Sequence, residues 1–426
     1  MSVSELCWKS FSCPKALLNL DIVLACGQCF RWSKNDDGEW NGVIGKRVWF
    51  LKQTSEQIFY KSFGKRTDVL PFHIEKREEH DLTSSKQQET SVGQEDVLNN
   101  DLEEAILRDY FQLDVDLERL YKSWSKNDEV FNRLANNFGG LRMLRQDPVE
   151  NLFSFICSQN NHISRISSMV EKLCSNYGDN IGELEGKAYH SFPSLAALSN
   201  ESVEQKLREL SFGYRAKFIY QCAKKILETG KEGWLHHLRA VDYKEAHSAL
   251  CQLPGVGAKV ADCVCLMSLD KTEAVPVDTH MWQIAQRDYL PHLKKYKSLT
   301  DKIYEEIGDH FRGIYGEYAG WAHSVLFSAD LRRFRDLKMD ALKSKPGPEK
   351  QQQKKQAKRQ KRKVKADVIV NDLQKQQDTS KKGISNVTQN RSLNFYLFVS
   401  DSKEEKSAYQ PRCRRETEKN LEQDAF

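Results

Sequence analysis

A lysine and an aspartate nineteen residues apart, Lys259 and Asp278, have side chains that could supply a nucleophile and a negative charge. A lysine amine attacks only when it is unprotonated, and burial and a helix N-terminus both disfavour its charged form. The sequence predicts both conditions at Lys259. Asp278 follows Val-Pro-Val and precedes a predicted helix, so it would cap that helix while its charge could face positive charge that develops in a reaction. Spacing alone leaves two alternatives open, a solvated Lys259 paired with Asp262 and an Asp278 that only caps.

Two predicted helices and a glycine-containing hairpin must position this lysine. Asp242 and Glu245 form a helix-start signature, and apolar residues recur at helical spacing up to Leu253. Pro254 ends that helix, and Gly255 and Gly257 permit a tight turn whose backbone amides could face a phosphate. The second helix, from about 258 to 269, is apolar nearly all round, so we expect it to be buried.

These features resemble the helix-hairpin-helix DNA glycosylase superfamily, and the pair of Lys259 and Asp278 resembles its bifunctional glycosylase/lyase members. Further segments occur in the matching order over roughly residues 14 to 335. Together they are similar to the eukaryotic 8-oxoguanine DNA glycosylase family: Gly27-Gln28-Cys29-Phe30-Arg31-Trp32, Asn160-Asn161, Gly213-Tyr214-Arg215 and Ala322-His323-Ser324-Val325-Leu326-Phe327-Ser328-Ala329-Asp330.

The resemblance implies a role in base recognition for four residues. Oxidation of guanine turns an acceptor nitrogen of its imidazole ring into a donor, and the backbone carbonyl of Gly27 would detect that donor. Cys263 and Phe327 would cover the two faces of an extruded base, and His323 would meet its pairing edge. From the sequence alone, Cys263 and Phe327 are equally typical of core residues.

The resemblance also implies contacts with the rest of the DNA. Three residues match positions that read the cytosine left behind, and Tyr214 matches the wedge that holds the stack open. His280 matches a phosphate-contacting histidine. Without the resemblance, ordinary surface roles would explain all of them. The cytosine-reading set is Asn160, Arg165 and Arg215, and the phosphate-contacting set is Gly255, Gly257 and His280.

Two positions depart from the family pattern. His323 replaces a glutamine, whose amide donates and accepts at once, whereas a neutral histidine does so only from different ring nitrogens. We therefore expect base excision to survive with altered discrimination. His162 replaces an asparagine that commonly follows the Asn-Asn pair.

The cysteine pattern argues against a metal. Endonuclease-III-like relatives hold an iron-sulfur cluster with four cysteines beyond the catalytic region, and no cysteine lies between Asp278 and the tail. Cys26 and Cys29 have no second pair to complete a zinc site. We assign no metal and expect that the reaction needs no cofactor.

Charge and composition limit the other possibilities. Residues 343–365 carry a net charge of +10 within a chain of net charge +5, so the remainder carries −5 and any DNA-binding surface must be local. An odd number of cysteines, eleven, without a secretory signal indicates a reducing compartment. No apolar stretch is long enough to span a membrane. The basic run 358–363 predicts nuclear import, and the sequence leaves a mitochondrial form open.

The predicted fold is α+β. Residues 1–125 should form an N-terminal antiparallel sheet domain with a disordered insertion at about 75–100, where little can be buried. Residues 126–338 should form an all-helical helix-hairpin-helix domain, in which Asp147-Pro148-Val149-Glu150 begins one helix and the last helix spans about 318–335. Residues 339–426 should be a disordered basic tail. An apolar run at 393–398 is either a docking peptide or, more simply, a stray segment.

These expectations combine into one function, the removal of 8-oxoguanine opposite cytosine from duplex DNA. Lys259 would form a Schiff base, and β-elimination would then nick the strand. The expected partners are duplex DNA containing oxidised guanine and downstream abasic-site repair enzymes, and the chain is expected to be monomeric. Two alternatives remain open at this point: a relative that acts on another damaged base, and a non-catalytic reader that uses the hairpin only to grip phosphate.

Overall fold

The computed structural model describes residues 7–64, 102–229 and 233–343. The predicted insertion at 75–100, the basic run at 358–363 and the apolar run at 393–398 lie outside the described residues. All three described segments belong to one compact unit.

The N-terminal part is a five-stranded antiparallel sheet with strand order β1-β5-β4-β3-β2. A turn at 36–38 joins its second and third strands, and Gly38 adopts φ +81° there. The strands of this sheet are β1 Lys9–Ser12, β2 Ser33–Lys34, β3 Trp40–Ile44, β4 Arg47–Gln53 and β5 Gln57–Phe63.

Strand β4 is apolar in consecutive positions because both faces of the sheet are covered. Trp49 and Leu51 face the main core that the sheet shares with the helices. Val48 and Phe50 face the opposite way and pack with Leu184 of a second, two-stranded sheet. Burying such side chains contributes about 1.5–3 kcal/mol each.

The remainder is mainly helical. The helices are α1 Leu20–Val23, α2 102–110, α3 Leu117–Asn127, α4 Glu129–Leu134, α5 Pro148–Ser158, α6 Ile163–Tyr177, α7 Leu195–Leu198, α8 Val203–Glu209, α9 Arg215–Glu228, α10 Trp234–His237, α11 Tyr243–Cys251, α12 Ala258–Ser268, α13 Thr279–Ile284, α14 Asp301–Tyr315, α15 Ala319–Asp330 and α16 Arg335–Lys343. A π-helical turn spans Ala285–Tyr289, and 3₁₀ turns span Pro291–Lys295, Gly316–Tyr318 and Arg332–Phe334.

The predicted helix starts are confirmed by their capping hydrogen bonds. Asp147 accepts from the amides of Val149 and Glu150 at 2.9 Å, with Pro148 at the first helical position. Asp242 accepts from the Glu245 amide at 2.9 Å. An N-cap of this kind stabilises a helix by about 1 kcal/mol.

The α+β class is confirmed, but the helical part differs from the prediction in three details. It is not all-helical, because an antiparallel hairpin of β6 Asn180–Leu184 and β7 Lys187–His190 follows α6 and covers the outer face of β4. The last predicted helix, 318–335, is interrupted at Leu331, whose extended backbone (ψ 136°) ends α15. Helix α16 then continues to Lys343, five residues into the segment that we predicted to be tail.

None of the helices in the described ranges is both long and apolar enough to cross a bilayer.

Candidate active site

Helices α11 and α12 and the turn between them form the predicted helix-hairpin-helix. Gly255 adopts φ +81°, and a Cβ atom there would come within 2.5 Å of the Phe218 ring, so both its torsion and its surroundings require glycine. Gly257 is exposed, and its extended backbone (φ −100°, ψ 179°) precedes α12. A Cβ atom at Gly257 would meet nothing within 4 Å, so this face of the turn is open.

Lys259 is the second residue of α12 and is half-buried. Its Nζ atom lies 5.0 Å from the centre of the Phe155 ring on α5. An ammonium at this distance is attracted to the ring face, and the ring also shields the amine from water on that side. The α12 helix below it is buried along nearly its whole length, which fixes the base of the side chain.

Asp278 is the N-cap of α13, as predicted. Its Oδ1 atom accepts a hydrogen bond from the Met281 amide at 2.9 Å. One carboxylate oxygen therefore caps the helix. Asp278 is half-buried and lines the same pocket as Lys259, so capping and a place in the site coexist in one side chain.

The pocket beside Lys259 is largely apolar and collects all six residues that we predicted for catalysis and base recognition. It spans about 540 Å³ when its open mouth is counted. It is lined by Cys26, Gly27, Gln28, Phe30, Met143, Phe155, Ser158, Ile166, Lys259, Cys263, Met267, Pro276, Asp278, His323, Ser324, Phe327 and Ser328.

Gly27 presents its backbone to this pocket from the loop before β2. Its φ of +88° lies in the region that favours glycine, and a Cβ atom would sit 3.4 Å from Ile163 Cδ1. The next side chain, buried Gln28, holds the loop in place. Its amide donates to the Arg142 carbonyl at 2.9 Å and accepts from the Leu144 amide at 2.9 Å. The Gly27 carbonyl is therefore part of a rigid backbone.

Cys263 lies one turn beyond Lys259 on α12 and is 2% exposed. Burial raises the pKa of its thiol to about 12, partly opposed by the neighbouring Lys259, with Asp262 and Asp278 raising it further. The residue therefore stays a neutral thiol and gives the pocket a polarisable, uncharged wall.

His323 and Phe327 lie one turn apart on α15 with their rings stacked, 6.2 Å between centroids and 17° between planes. His323 is 4% exposed, and among the described residues neither of its ring nitrogens has a partner in good hydrogen-bond geometry. Burial lowers its pKa to about 4, only partly opposed by Asp278 and by the backbone of Pro276 and Gly320, so the ring is neutral at physiological pH. Buried polar groups whose hydrogen bonds are this incomplete are uncommon and cluster at functional sites.

A second group lies outside the pocket. It contains three of the four residues predicted to read the cytosine or to act as the wedge. Asn160 is exposed at positive φ (47°) in the loop after α5. Arg215 is buried and donates to the carbonyls of Gln159 and Asn160. The Tyr214 hydroxyl donates to the same Gln159 carbonyl at 3.1 Å, while its ring is 47% exposed.

Arg165, the remaining residue of the cytosine-reading set, lies exposed in the first turn of α6. The structure does not join its side chain to the other three by a hydrogen bond within the described residues. The departure at His162 has a local role, because its ring nitrogen caps α6 by accepting from the Arg165 amide at 3.4 Å.

His280 lies at the start of α13 and contacts the pocket wall. Its ring meets the Phe327 ring edge-on at 5.9 Å, and its Nδ1 atom lies 3.6 Å from the Asp330 carboxylate. Asp330 also accepts from Lys338 at 2.8 Å and Arg287 at 3.2 Å. The pKa of Asp330 is lowered by these partners, His280 first, so a fixed negative charge faces the imidazole.

Two residues of the site were not predicted. Phe155 was visible only as part of an apolar helix, and nothing in that helix indicates which ring faces Lys259. Asp330 ends a segment that matched the family, but its role as a common partner of His280, Arg287 and Lys338 depends on contacts across 43 and 50 residues of chain that spacing does not reveal. In the described ranges, no group of three or more His, Cys, Asp or Glu could hold a metal ion.

The helix-hairpin-helix and the Lys259 pocket define a base-excision DNA repair fold. Residues 153–309 match the family described as HhH-GPD superfamily base excision DNA repair protein. Residues 10–152 match the N-terminal domain of 8-oxoguanine DNA glycosylase.

Individual relatives agree with the family matches. The chain is 38% identical to an N-glycosylase/DNA lyase from Arabidopsis thaliana over 326 residues, 76% of this chain and 80% of the relative. It is also 38% identical to an N-glycosylase/DNA lyase from Saccharomyces cerevisiae, covering 74% of this chain and 84% of the relative. The Clostridium acetobutylicum 8-oxoguanine glycosylase/lyase superposes with a TM-score of 0.58 and 26% identity, over 73% of this chain and 93% of that one.

A second structure of the Clostridium enzyme contains double-stranded DNA with cytosine opposite 8-oxoguanine. It matches with a TM-score of 0.59 and 25% identity, over 79% of this chain and 100% of that one. The chain therefore belongs to the 8-oxoguanine N-glycosylase/DNA lyase family.

Proposed function

We propose that this chain excises 8-oxoguanine opposite cytosine from duplex DNA and then nicks the strand at the abasic site. The observation that carries the proposal is the convergence of Lys259 and Asp278 with Gly27, Cys263, Phe327 and His323 in one pocket beside the hairpin. A nucleophilic amine, a carboxylate and an apolar slot with unpaired polar atoms are the parts that base extrusion and sugar attack require.

Lys259 acts as the nucleophile. The bond between the sugar C1′ and the base nitrogen breaks, its electron pair leaves with the base, and Lys259 Nζ bonds to C1′. Asp278 stabilises the positive charge that develops on the sugar. Opening of the sugar ring gives an imine between Nζ and C1′. Loss of a proton from C2′ then expels the 3′ phosphate oxygen, which is the β-elimination that nicks the strand.

The pocket selects the oxidised base by its hydrogen bonds. The rigid carbonyl of Gly27 accepts from the imidazole nitrogen that carries hydrogen only after oxidation. Phe327 and Cys263 cover the two faces of the base. His323 offers its unpartnered ring nitrogens to the pairing edge, where it accepts from a guanine-type N–H.

The second group and the hairpin hold the DNA. Tyr214 is the wedge, since its half-exposed ring already projects from the protein, and Asn160 and Arg165 are exposed to reach the cytosine. Arg215 must first exchange its carbonyl partners for the base. The phosphate-contacting set predicted above, the two hairpin glycines and His280, binds the DNA backbone.

The wider assignments follow from the same function. The basic run at 358–363 supports nuclear import, with a mitochondrial form as the alternative. The chain acts as a monomer with an N-terminal sheet domain, 1–125, and a helical domain, 126–338. Downstream abasic-site repair enzymes receive the nicked product.

Borohydride trapping tests the function directly, because reduction of the imine leaves a covalent protein–DNA adduct. The full chain is incubated with duplexes containing 8-oxoguanine, uracil or alkylated adenine opposite their usual partners. We expect an adduct with the 8-oxoguanine duplex, loss of the adduct in Lys259→Gln, and full yield in Lys244→Gln, which removes an exposed lysine of α11. Trapping only with another base would indicate a relative of different specificity, and binding without trapping would indicate a non-catalytic reader.

A further inference from the structure

A buried carboxylate lies directly behind the catalytic helix and has no place in the chemistry above. Asp262 is on α12, one turn beyond Lys259, and is 1% exposed. Its Oδ1 atom accepts from the Tyr243 hydroxyl at 2.6 Å, and its Oδ2 atom accepts from the Tyr304 hydroxyl at 2.5 Å. In the described part of the chain Asp262 forms no ion pair with Lys259, the alternative that spacing left open. Both of its oxygens accept from phenols, and the Nε2 atom of His247 lies 3.6 Å from Oδ1.

The two phenols differ in what lies beyond them. Tyr243 belongs to α11, so its hydrogen bond joins the two helices of the hairpin. Tyr304 belongs to α14, and its oxygen also accepts a hydrogen bond from the Val277 amide at 3.2 Å. Val277 immediately precedes Asp278 in the chain.

The Val277 amide is the last backbone donor before Asp278. Pro276, the residue before it, has no amide hydrogen. The extended segment that carries Asp278 is therefore tied at this point to Tyr304, and through Tyr304 to the carboxylate of α12. A continuous path of two hydrogen bonds runs from Asp262, on the helix of Lys259, to Val277, the residue beside Asp278. Its middle member, Tyr304, lies 42 residues beyond Asp262 in the chain.

We propose that Tyr304, held by Asp262, is a positioning residue that sets Asp278 relative to Lys259 for base excision. The proposal rests on the function proposed above. Hydrogen bonds in a buried network are strong and directional, so the path fixes the spacing between α12 and the segment that carries Asp278 through a third element, α14, that is distant in sequence. Small errors in such spacing reduce rates strongly, since a displacement of about 1 Å can cost on the order of 100-fold.

The chain supplies its own matched control. Tyr304→Phe and Tyr243→Phe each remove one phenol from the same carboxylate, but only Tyr304→Phe releases the Val277 amide. The measurements are the single-turnover excision rate on an 8-oxoguanine duplex, the affinity for a duplex with a tetrahydrofuran abasic analogue opposite cytosine, and the melting temperature, all on the full chain.

We expect Tyr304→Phe to lower the excision rate by about 10- to 100-fold with unchanged affinity for the analogue. Tyr243→Phe should keep the wild-type rate within about 2-fold, with a smaller loss of melting temperature because no backbone amide loses its acceptor. Equal rates in the two variants would overturn the proposal, as would a loss of affinity that accounts for the whole loss of rate. If instead the proposed function is wrong, the wild-type chain itself shows no excision, which distinguishes the two failures.

A second variant covers the case in which Tyr304→Phe does not fold. Asp262→Asn keeps the volume of the side chain but replaces one acceptor oxygen with a donor, which weakens the hold on Tyr304. It should lower the excision rate by at least about 3-fold while the affinity for the analogue stays the same. A wild-type rate in Asp262→Asn would contradict the proposal on its own.

Discussion

The ring of His323 lies nearly parallel to the ring of Phe327, one turn away on α15, and among the described residues neither of its nitrogens has a partner in good hydrogen-bond geometry. The stacking fixes the plane of the imidazole, so its nitrogens point in set directions. A ligand that enters beside Phe327 therefore meets a preformed but unsatisfied polar edge.

Replacing His323 by glutamine should change how strongly the oxidised base is distinguished. A glutamine amide can donate and accept toward one edge, and one added hydrogen bond contributes about 0.5–1.5 kcal/mol. We expect tighter binding to an 8-oxoguanine duplex relative to a guanine duplex, measured in a Lys259→Gln background that prevents turnover. His292→Gln, outside the pocket, is the control. An unchanged ratio of the two affinities would mean that residue 323 does not contact the base.

The same histidine should make stability depend on pH. Burial lowers its pKa from 6.5 to about 4, so the unfolded chain binds this proton more tightly than the folded chain. The free energy of unfolding is therefore unaffected by this group above pH 6.5 and falls by about 3 kcal/mol as the pH falls toward 4. Urea unfolding at both ends of this range should show a smaller loss in His323→Gln than in wild type. Equal losses would show that the imidazole titrates normally.

Asp278 combines two roles that two substitutions separate. Asparagine caps helices as well as aspartate does, so Asp278→Asn should keep the free energy of unfolding, whereas Asp278→Ala should lose about 1 kcal/mol. Both remove the negative charge that faces the sugar and should slow single-turnover excision by about 100-fold or more. An Asp278→Asn rate close to that of wild type would assign this residue to capping alone.

Gly27 can be tested against a glycine with the same backbone strain elsewhere. Gly27 (φ +88°) and Gly186 (φ +77°, in the β6–β7 turn) should each lose about 1–2 kcal/mol of stability when changed to alanine. Only Gly27→Ala also shifts the carbonyl that faces the base and presses toward Ile163. We expect the preference for 8-oxoguanine over guanine in a binding assay to fall in Gly27→Ala and to persist in Gly186→Ala. The opposite pattern would exclude Gly27 from recognition.

Local signals accounted for much of the fold. The caps at Asp147, Asp242 and Asp278 each depend on an aspartate bonding an amide two or three residues away, which a sequence displays directly. The interruption of the last helix at Leu331 was missed because no proline or glycine marks it. The β6–β7 hairpin was missed because its few apolar residues gain their burial from strand β4, more than 130 residues earlier.

The residues of the site also fall into two groups, those that local sequence signals or family similarity indicated and those that only tertiary contacts reveal. Lys259 and Asp278 are marked by the hairpin and the Val-Pro-Val segment, and family similarity indicated the residues around the base. Phe155, Tyr304 and Asp330 act through contacts between distant helices, and no spacing rule reports such contacts. The hydrogen bonds that hold Arg215 against the loop carbonyls were likewise invisible, although its position in the matching segment was correct.

Gln28 has a consequence for any attempt to divide this protein. Its side chain bonds the backbone at 142–144 from the loop that follows α1, and its backbone carbonyl accepts from the side-chain amide of Gln146 at 2.7 Å. A cut near residue 125 would sever the loop of Gly27 from the chain that shapes it. Neither fragment would form the complete pocket. Recombination or truncation experiments should therefore keep residues 7–343 together.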